Sequence, residues 1–269
     1  MSESKTPESK AKVPETKTNT SSKAGLDKEK LATAVRSLQF AWFVGHVVTL
    51  LSIFFYLLTY VKLGKYPRFW YQLALIGIVE SFGILIYQLS KKTTSFGTLI
   101  RDDNVQYFFL GVGLLVTRPY VLLTLLPFAL FSVFHVLAYT KAYLLPVARL
   151  DEHPISTKVG DFISKNNVKS VQLAAVLENF TLVWLFLRIV TFRKRSLLPF
   201  ILYALFVKVR FEKSSFTRNH IKSIEVFIDN TVNKSDVPAI KQTWITAKGV
   251  FRRIGSFHLV NDYTKEKLT

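Results

Sequence analysis

SLQFAWFVGHVVTLLSIFFYLLTYV, residues Ser37–Val61, runs for 25 residues without a charge between Arg36 and Lys62. A helix rising about 1.5 Å per residue over that length covers a hydrocarbon core of about 30 Å with room for tilt. The stretch is apolar on every side, so it has no wet face to turn toward solvent. Outward from it the same texture returns three times. Phe69–Ser90 carries one charge, Glu80, and opens with Tyr66, Phe69, Trp70 and Tyr71, rings suited to the membrane interface. Asn104–Thr140 is 37 residues, too long for one straight crossing, and Arg118-Pro119 breaks it, because proline disfavours helix at the residue before it. Two helices are predicted there, over 105–117 and 120–140; the first is short, which admits two crossings or a re-entrant hairpin. Val171–Phe192 and Leu197–Val207 flank Arg193-Lys194-Arg195, a triplet costly in lipid that marks an interface. The predicted fold class is all-α: a polytopic helical membrane protein with hairpin-like helix pairs and an amphipathic helical C-terminal region.

Composition agrees. The 269-residue chain is 49% hydrophobic and 14% aromatic, with a mean hydropathy of +0.25. A soluble domain could not hide that surface, and a disordered chain would not contain it. The absence of cysteine excludes disulfide frameworks, thiolate metal sites and cysteine nucleophiles. Thirty-six Lys+Arg stand against 18 Asp+Glu, but they lie in the terminal regions, in loops and at segment ends. That placement orients helices and meets anionic headgroups, so direct nucleic-acid binding is not expected. Three regions follow: a disordered cytosolic tail over 1–30 with no signal peptide, a transmembrane domain over 31–211, and a cytosolic amphipathic region over 212–269 that binds the membrane surface. Both termini carry the basic excess and are predicted to be cytosolic.

Beyond Arg210 the pattern becomes amphipathic. Ile221, Ile224, Phe227, Ile228 and Val232 recur at helical spacing, and Asn233–Pro238 makes a break. Ile240, Trp244, Ala247, Phe251 and Ile254 then share one stripe, flanked by Lys241, Lys248 and Arg252. An aromatic stripe with a basic flank fits a helix lying in the headgroup plane of an anionic, curved membrane. Packing of the two stripes on each other is the other reading, and the two can alternate.

Five ionisable residues fall within the membrane blocks: His46, Glu80, Arg118, His135 and Glu178. Each stands alone in its segment, without a second ligand at metal spacing, so no metal site or cofactor is predicted. Hydrogen bonding between helices is expected, with Glu80 and Glu178 turned toward other helices. A small transporter or channel using these groups is the alternative from another class. Catalysis has no support: there is no Gly-rich phosphate loop, Gly-x-Ser-x-Gly elbow or His-Glu-x-x-His helix, and His258 precedes Asp262 one residue too closely for an acyltransferase pair.

Asp103–Phe108 (DNVQYF), Arg118-Pro119-Tyr120, PFALFSVFHVLAYTK (Pro127–Lys141), Glu178-Asn179-Phe180 and PFILYALFVKVRF (Pro199–Phe211) resemble the Krüppel-homologue-2 family, which includes animal transmembrane protein 33 and fungal pore-membrane proteins. SLQFAWFVGH (Ser37–His46) looks like the fungal branch, and the resemblance covers about residues 35–260. It implies a non-enzymatic multi-pass protein of the endoplasmic reticulum (ER) and nuclear envelope. It also implies roles in ER tubule shape and nuclear pore assembly or distribution. The implied partners are nucleoporins, reticulon-type ER-shaping proteins and a karyopherin.

Overall fold

Helix ends are placed by side chains and prolines that deal with the free amides of a first turn. Asp27 accepts from Lys30 N and begins α1 (Lys28–Val35); Ser37 accepts from Phe40 N and begins α2 (Leu38–Tyr60). Pro67 opens α3 (Pro67–Ser90), and α4 (Phe96–Arg101) is short. Asp102 caps α5 (Asp103–Thr117), which stops at Arg118 in a left-handed conformation. After a single 3-10 turn, α6 (Leu126–Tyr139) passes through a π turn (Thr140–Leu144) into α7 (Leu145–Val147). Then come α8 (Pro154–Val190), α9 (Leu197–Lys213), α10 (Ser215–Asn233) and α11 (Pro238–Ser256). The structure is a computed structural model, which describes residues 27–92 and 95–260, and no strand occurs among them.

Several boundaries differ from those predicted. Residues 28–30, assigned to the tail, belong to α1 because Asp27 caps it; the rest of the expected tail, 1–26, lies outside the described residues. The helix expected from Val171 starts at Pro154, with Pro154 in its first turn and His153 accepting from Ile155 N. Nothing between the two positions stops a helix once begun, so its hydrophilic first half continues into the apolar half. The region drawn from 212 begins inside α9, which runs to Lys213.

Four helical segments are long and apolar enough to cross a membrane: Leu38–Tyr60, Pro67–Ser90, Leu126–Val147 and Pro154–Val190. Helix α5 has 15 residues and α9 has 17, about 22 and 25 Å at 1.5 Å per residue. Both still run the length of the bundle. Asp103, at the start of α5, lies 3.0 Å from Arg210 near the end of α9. One turn in, the Tyr107 and Phe206 rings stand 5.2 Å apart, and Gly113 then abuts Leu202. These three pairs define an antiparallel register. At its other end α5 passes to Tyr120, whose carbonyl accepts from Tyr56 Oη at 2.8 Å near the end of α2. The chain thus traverses the bundle through α5 and returns through α6.

The core follows the same seams. Tyr71, Leu75 and Ile78 of α3, Leu110 and Leu114 of α5, Phe128 of α6, Leu185 of α8 and Tyr203 of α9 are all buried. Helices α2 and α3 approach most closely where glycines face: a methyl added to Gly77 would stand 2.6 Å from Gly45 O. Small residues allow such backbone contact where lipid supplies no hydrophobic drive. The described start and end of the chain share one end of the bundle. There Asp27 N donates to Val147 O, and Val260 N donates to Glu212.

Candidate functional site: polar seams and a surface hairpin

Two polar clusters form between the membrane helices. His46 is buried on α2, and its Nδ1 lies 3.0 Å from Ser132 Oγ on α6. His135 is one turn along α6, 4.7 Å from His46 ring to ring, and Trp42 packs edge-on against both. The second cluster joins α5, α8 and α9. Glu178 is fully buried; Tyr107 Oη donates to its Oε1 at 2.5 Å, and Arg210 Nε lies 3.6 Å from its Oε2. Arg210 also reaches Asp103 at 3.0 Å and covers the Tyr107 ring at 5.3 Å. Phe82 separates the two clusters, 6.2 Å from His46 and 5.7 Å from Tyr107.

Hydrogen bonds between helices are made by His46 and Glu178, while His135 meets α2 through the rings of Trp42 and His46. Glu80 is exposed, with its Oε2 beside Gly45 of α2 and no hydrogen bond to a partner helix among the described residues. Apolar residues surround α3 on every side, so periodicity carried no direction for Glu80. Arg118 is no interior group either: it is exposed at the end of α5 with φ 49°, its Nε donating to Leu115 O at 3.3 Å. Sequence reasoning missed Asp103, Tyr107 and Arg210. They stood only within the motifs DNVQYF and PFILYALFVKVRF, and only knowing that α5 opposes α9 brings them together.

The C-terminal region forms a helical hairpin. Asp229 of α10 accepts from Trp244 Nε1 and from Lys248 Nζ of α11, both at 2.6 Å, and Glu225 pairs with Arg252 at 3.7 Å. The Lys248 ammonium, then the Trp244 donor, hold the half-buried Asp229 carboxyl below the ordinary aspartate range. Among the predicted stripe residues, Trp244, Ala247 and Lys248 are half-buried against α10. Ile240, Lys241, Phe251, Arg252 and Ile254 are exposed, Phe251 by 63%, and Phe227 of α10 is exposed by 70%. The hairpin therefore packs through a polar flank and keeps most of its apolar stripe outward. Its far end is tied down: Leu259 N and Val260 N donate to the buried Glu212 carboxylate at 2.8 and 2.7 Å, and Lys208 Nζ donates to Gly255 O.

Among the described residues no group of three His, Cys, Asp or Glu side chains could hold a metal. What the fold defines is an all-α, multi-pass membrane protein with polar seams inside and an amphipathic hairpin at one end. Its relationships agree with that class. The chain belongs to the transmembrane protein 33/nucleoporin POM33 family, whose model matches residues 21–253. It is 30% identical to Nucleoporin POM33 of Chaetomium thermophilum, over 88% of this chain and 91% of that one. Tetra-spanning protein 1 of Schizosaccharomyces pombe is 32% identical, over 85% and 88% of the two chains. The Pore and endoplasmic reticulum protein of 33 kDa of Saccharomyces cerevisiae is 27% identical, over 80% and 89%. No solved structure matches the chain. Membership places it among multi-pass proteins of the nuclear pore membrane and ER, a family of structural membrane proteins.

Proposed function

We propose that this protein stabilises curved membrane at the nuclear envelope and ER, with α10–α11 as its membrane-reading element, and so supports pore assembly and ER tubule organisation. One observation carries the reading: the two helices meet through Asp229, Trp244 and Lys248, while Phe227, Ile240, Phe251 and Ile254 are left outward. A hairpin built for water would reverse that arrangement. Seated on a bilayer, the stripe enters lipid-packing defects, which are commoner on curved membrane, and Lys241, Arg252 and Arg253 meet anionic headgroups. Each aromatic ring inserted contributes roughly 2–3 kcal/mol before ordering costs. The partners the family suggests are nucleoporins, reticulon-type proteins and a karyopherin. Transport gains no support, because the ionisable clusters are paired locally and parted by Phe82.

The test is Phe251→Glu with Ile254→Glu in the full chain, tagged at its natural level. The double variant should remain an integral membrane protein but lose enrichment at the pore membrane and on small vesicles relative to large ones. Unchanged enrichment would remove the hairpin from the mechanism.

A further inference from the structure

At the end of the bundle opposite Asp27 and Val260, three short connections converge: 61–66 between α2 and α3, 118–125 between α5 and α6, and 191–196 between α8 and α9. Tyr56 Oη donates to Tyr120 O, Tyr71 Oη bonds Thr124 Oγ1 at 2.8 Å, and Arg188 Nε donates to Ser196 Oγ at 3.3 Å. The charge here is one-sided. The first connection and the start of α3 bring Lys62, Lys65 and Arg68; the second brings Arg118. The end of α8 and the third connection bring Arg188, Arg193, Lys194 and Arg195, and none of these segments contains Asp or Glu. Among the described residues, the acidic side chains outside the apolar blocks belong to segments at the other end.

Backbone strain gathers at the same place. Seven non-glycine residues among those described have left-handed φ, and six of them lie in these connections, including Lys62 (58°), Arg118 (49°), Tyr120 (51°) and Arg195 (57°). Glycine would hold such positions without strain. A strained side chain is kept where the surroundings use it, and such residues cluster at ligand clamps. Here the strained positions present cations and rings together: the guanidinium carbons of Arg68 and Arg195 each lie 6.0 Å from the Tyr120 ring centre. Beside them Leu63 is exposed by 79%, Tyr66 by 73% and Phe192 by 94%.

We propose that this end is a second lipid site, in which Arg68, Arg118 and Arg195 around Tyr120 bind the phosphate of an anionic phospholipid headgroup while Leu63, Tyr66 and Phe192 anchor among its acyl chains. Connections of six to eight residues, held down by their bonds to the bundle, stay close to the headgroup layer, which extends about 5–8 Å past the hydrocarbon on each side. The nearest anions are therefore lipid phosphates. Guanidinium pairs suit them because the planar fork donates two parallel hydrogen bonds. The site is separate from α10–α11 and stands whether or not that hairpin senses curvature.

The test uses the full chain in neutral detergent, carrying Lys241→Gln, Lys248→Gln and Phe251→Glu to silence the hairpin, with bound lipid counted by native mass spectrometry. Phosphatidylserine should bind at least about tenfold more tightly to this chain than to one that also carries Arg68→Gln, Arg118→Gln and Arg195→Gln. Phosphatidylcholine of the same acyl chains should distinguish the two by less than about twofold. Three Arg→Lys changes should restore part of the phosphatidylserine binding, the part owed to charge, which separates lost charge from lost folding. Inorganic phosphate should not displace the lipid, because it lacks the acyl anchor. Equal phosphatidylserine binding with and without the three arginines overturns the site. So does a chain that ignores the lipid yet captures a poly-glutamate peptide through these arginines, since the surface then belongs to an acidic protein segment.

Discussion

The bundle and the C-terminal hairpin solve one problem at two depths. In α2–α9 the polar side chains face each other across seams, as His46 does Ser132 and Glu178 does Tyr107 and Arg210. The outer faces carry large apolar residues such as Leu51, Phe54, Val183 and Phe186. The hairpin follows the same rule, with Asp229, Trp244 and Lys248 inside and Phe227, Phe251 and Ile254 outside. They differ in how much depends on the inner contacts. Glu178 and Arg210 are 0% and 4% exposed and have no solvent to fall back on, whereas Asp229 and Lys248 are partly wet. Seams in the bundle therefore fix a register; the seam in the hairpin sets only an orientation.

The sharpest way to break that comparison is to orphan a charge on each side of it. Arg210→Met leaves Glu178 buried with Tyr107 alone, and removing one partner of a buried pair costs about 3–5 kcal/mol. The purified chain in neutral detergent should melt far earlier. Adding Glu178→Leu and Tyr107→Phe should recover most of the loss, because the apolar set then leaves no buried partner of the cluster unpaired. Lys248→Met in the hairpin should leave the melting midpoint unmoved. Equal losses from Arg210→Met and Lys248→Met would mean the two seams do the same job.

Glycines sharpen the contrast on a smaller scale. Gly77→Ala forces a methyl against Gly45 O and to 2.7 Å from Thr49 Oγ1, both on α2. Overpacking of that kind costs about 1–3 kcal/mol, visible as an earlier loss of the α2–α3 contact in thermal unfolding. Gly249 of α11 has nothing within 4 Å of such a methyl. Gly249→Ala should instead stabilise α11 by up to about 1 kcal/mol through helix propensity, measured as slower amide exchange there. A destabilising Gly249→Ala would place a packing partner against that face.

Much of this could be read from the residues because lipid imposes long apolar runs and proline ends them. The first two blocks, the break at Arg118-Pro119 and the turn at Asn233–Pro238 appear where the pattern puts them, whereas the helix expected from Val171 starts at Pro154 and that expected from 120 starts at Leu126. Direction was harder. Helix α3 is apolar all round, so nothing in its periodicity distinguished the buried Ser81 from the exposed Glu80. Amphipathic α11 did reveal its stripe, but not that Trp244 at the stripe's edge would turn to Asp229, a residue on another helix. The antiparallel pairing of α5 with α9 was the least legible. Asp103 and Arg210 are more than 100 positions apart, and each reads locally as a charge at a segment end. Only the order of helices around the bundle makes them partners.

The smallest expected effect concerns pH at the hairpin. Lys248 and Trp244 hold the Asp229 carboxyl below its usual 3.8. A depressed carboxylate contributes its stability above the unfolded value and loses it as pH falls through the folded one. The α10–α11 contact should therefore stay constant from about pH 8 to about pH 5 and loosen only in acid below the ordinary aspartate range. With 5-fluorotryptophan in the chain, the Trp244 resonance should hold its position over that span and move only under acid. Asp229→Asn should keep the Trp244 hydrogen bond through its amide oxygen but lose the ion pair. Its resonance should then be insensitive to both acid and salt, while the wild-type resonance responds modestly to salt because the pair is partly exposed. Movement between pH 6 and 7 would overturn this assignment, for a carboxyl held below the ordinary aspartate value does not titrate there. Control of the hairpin would then pass from the Asp229 contact to another group.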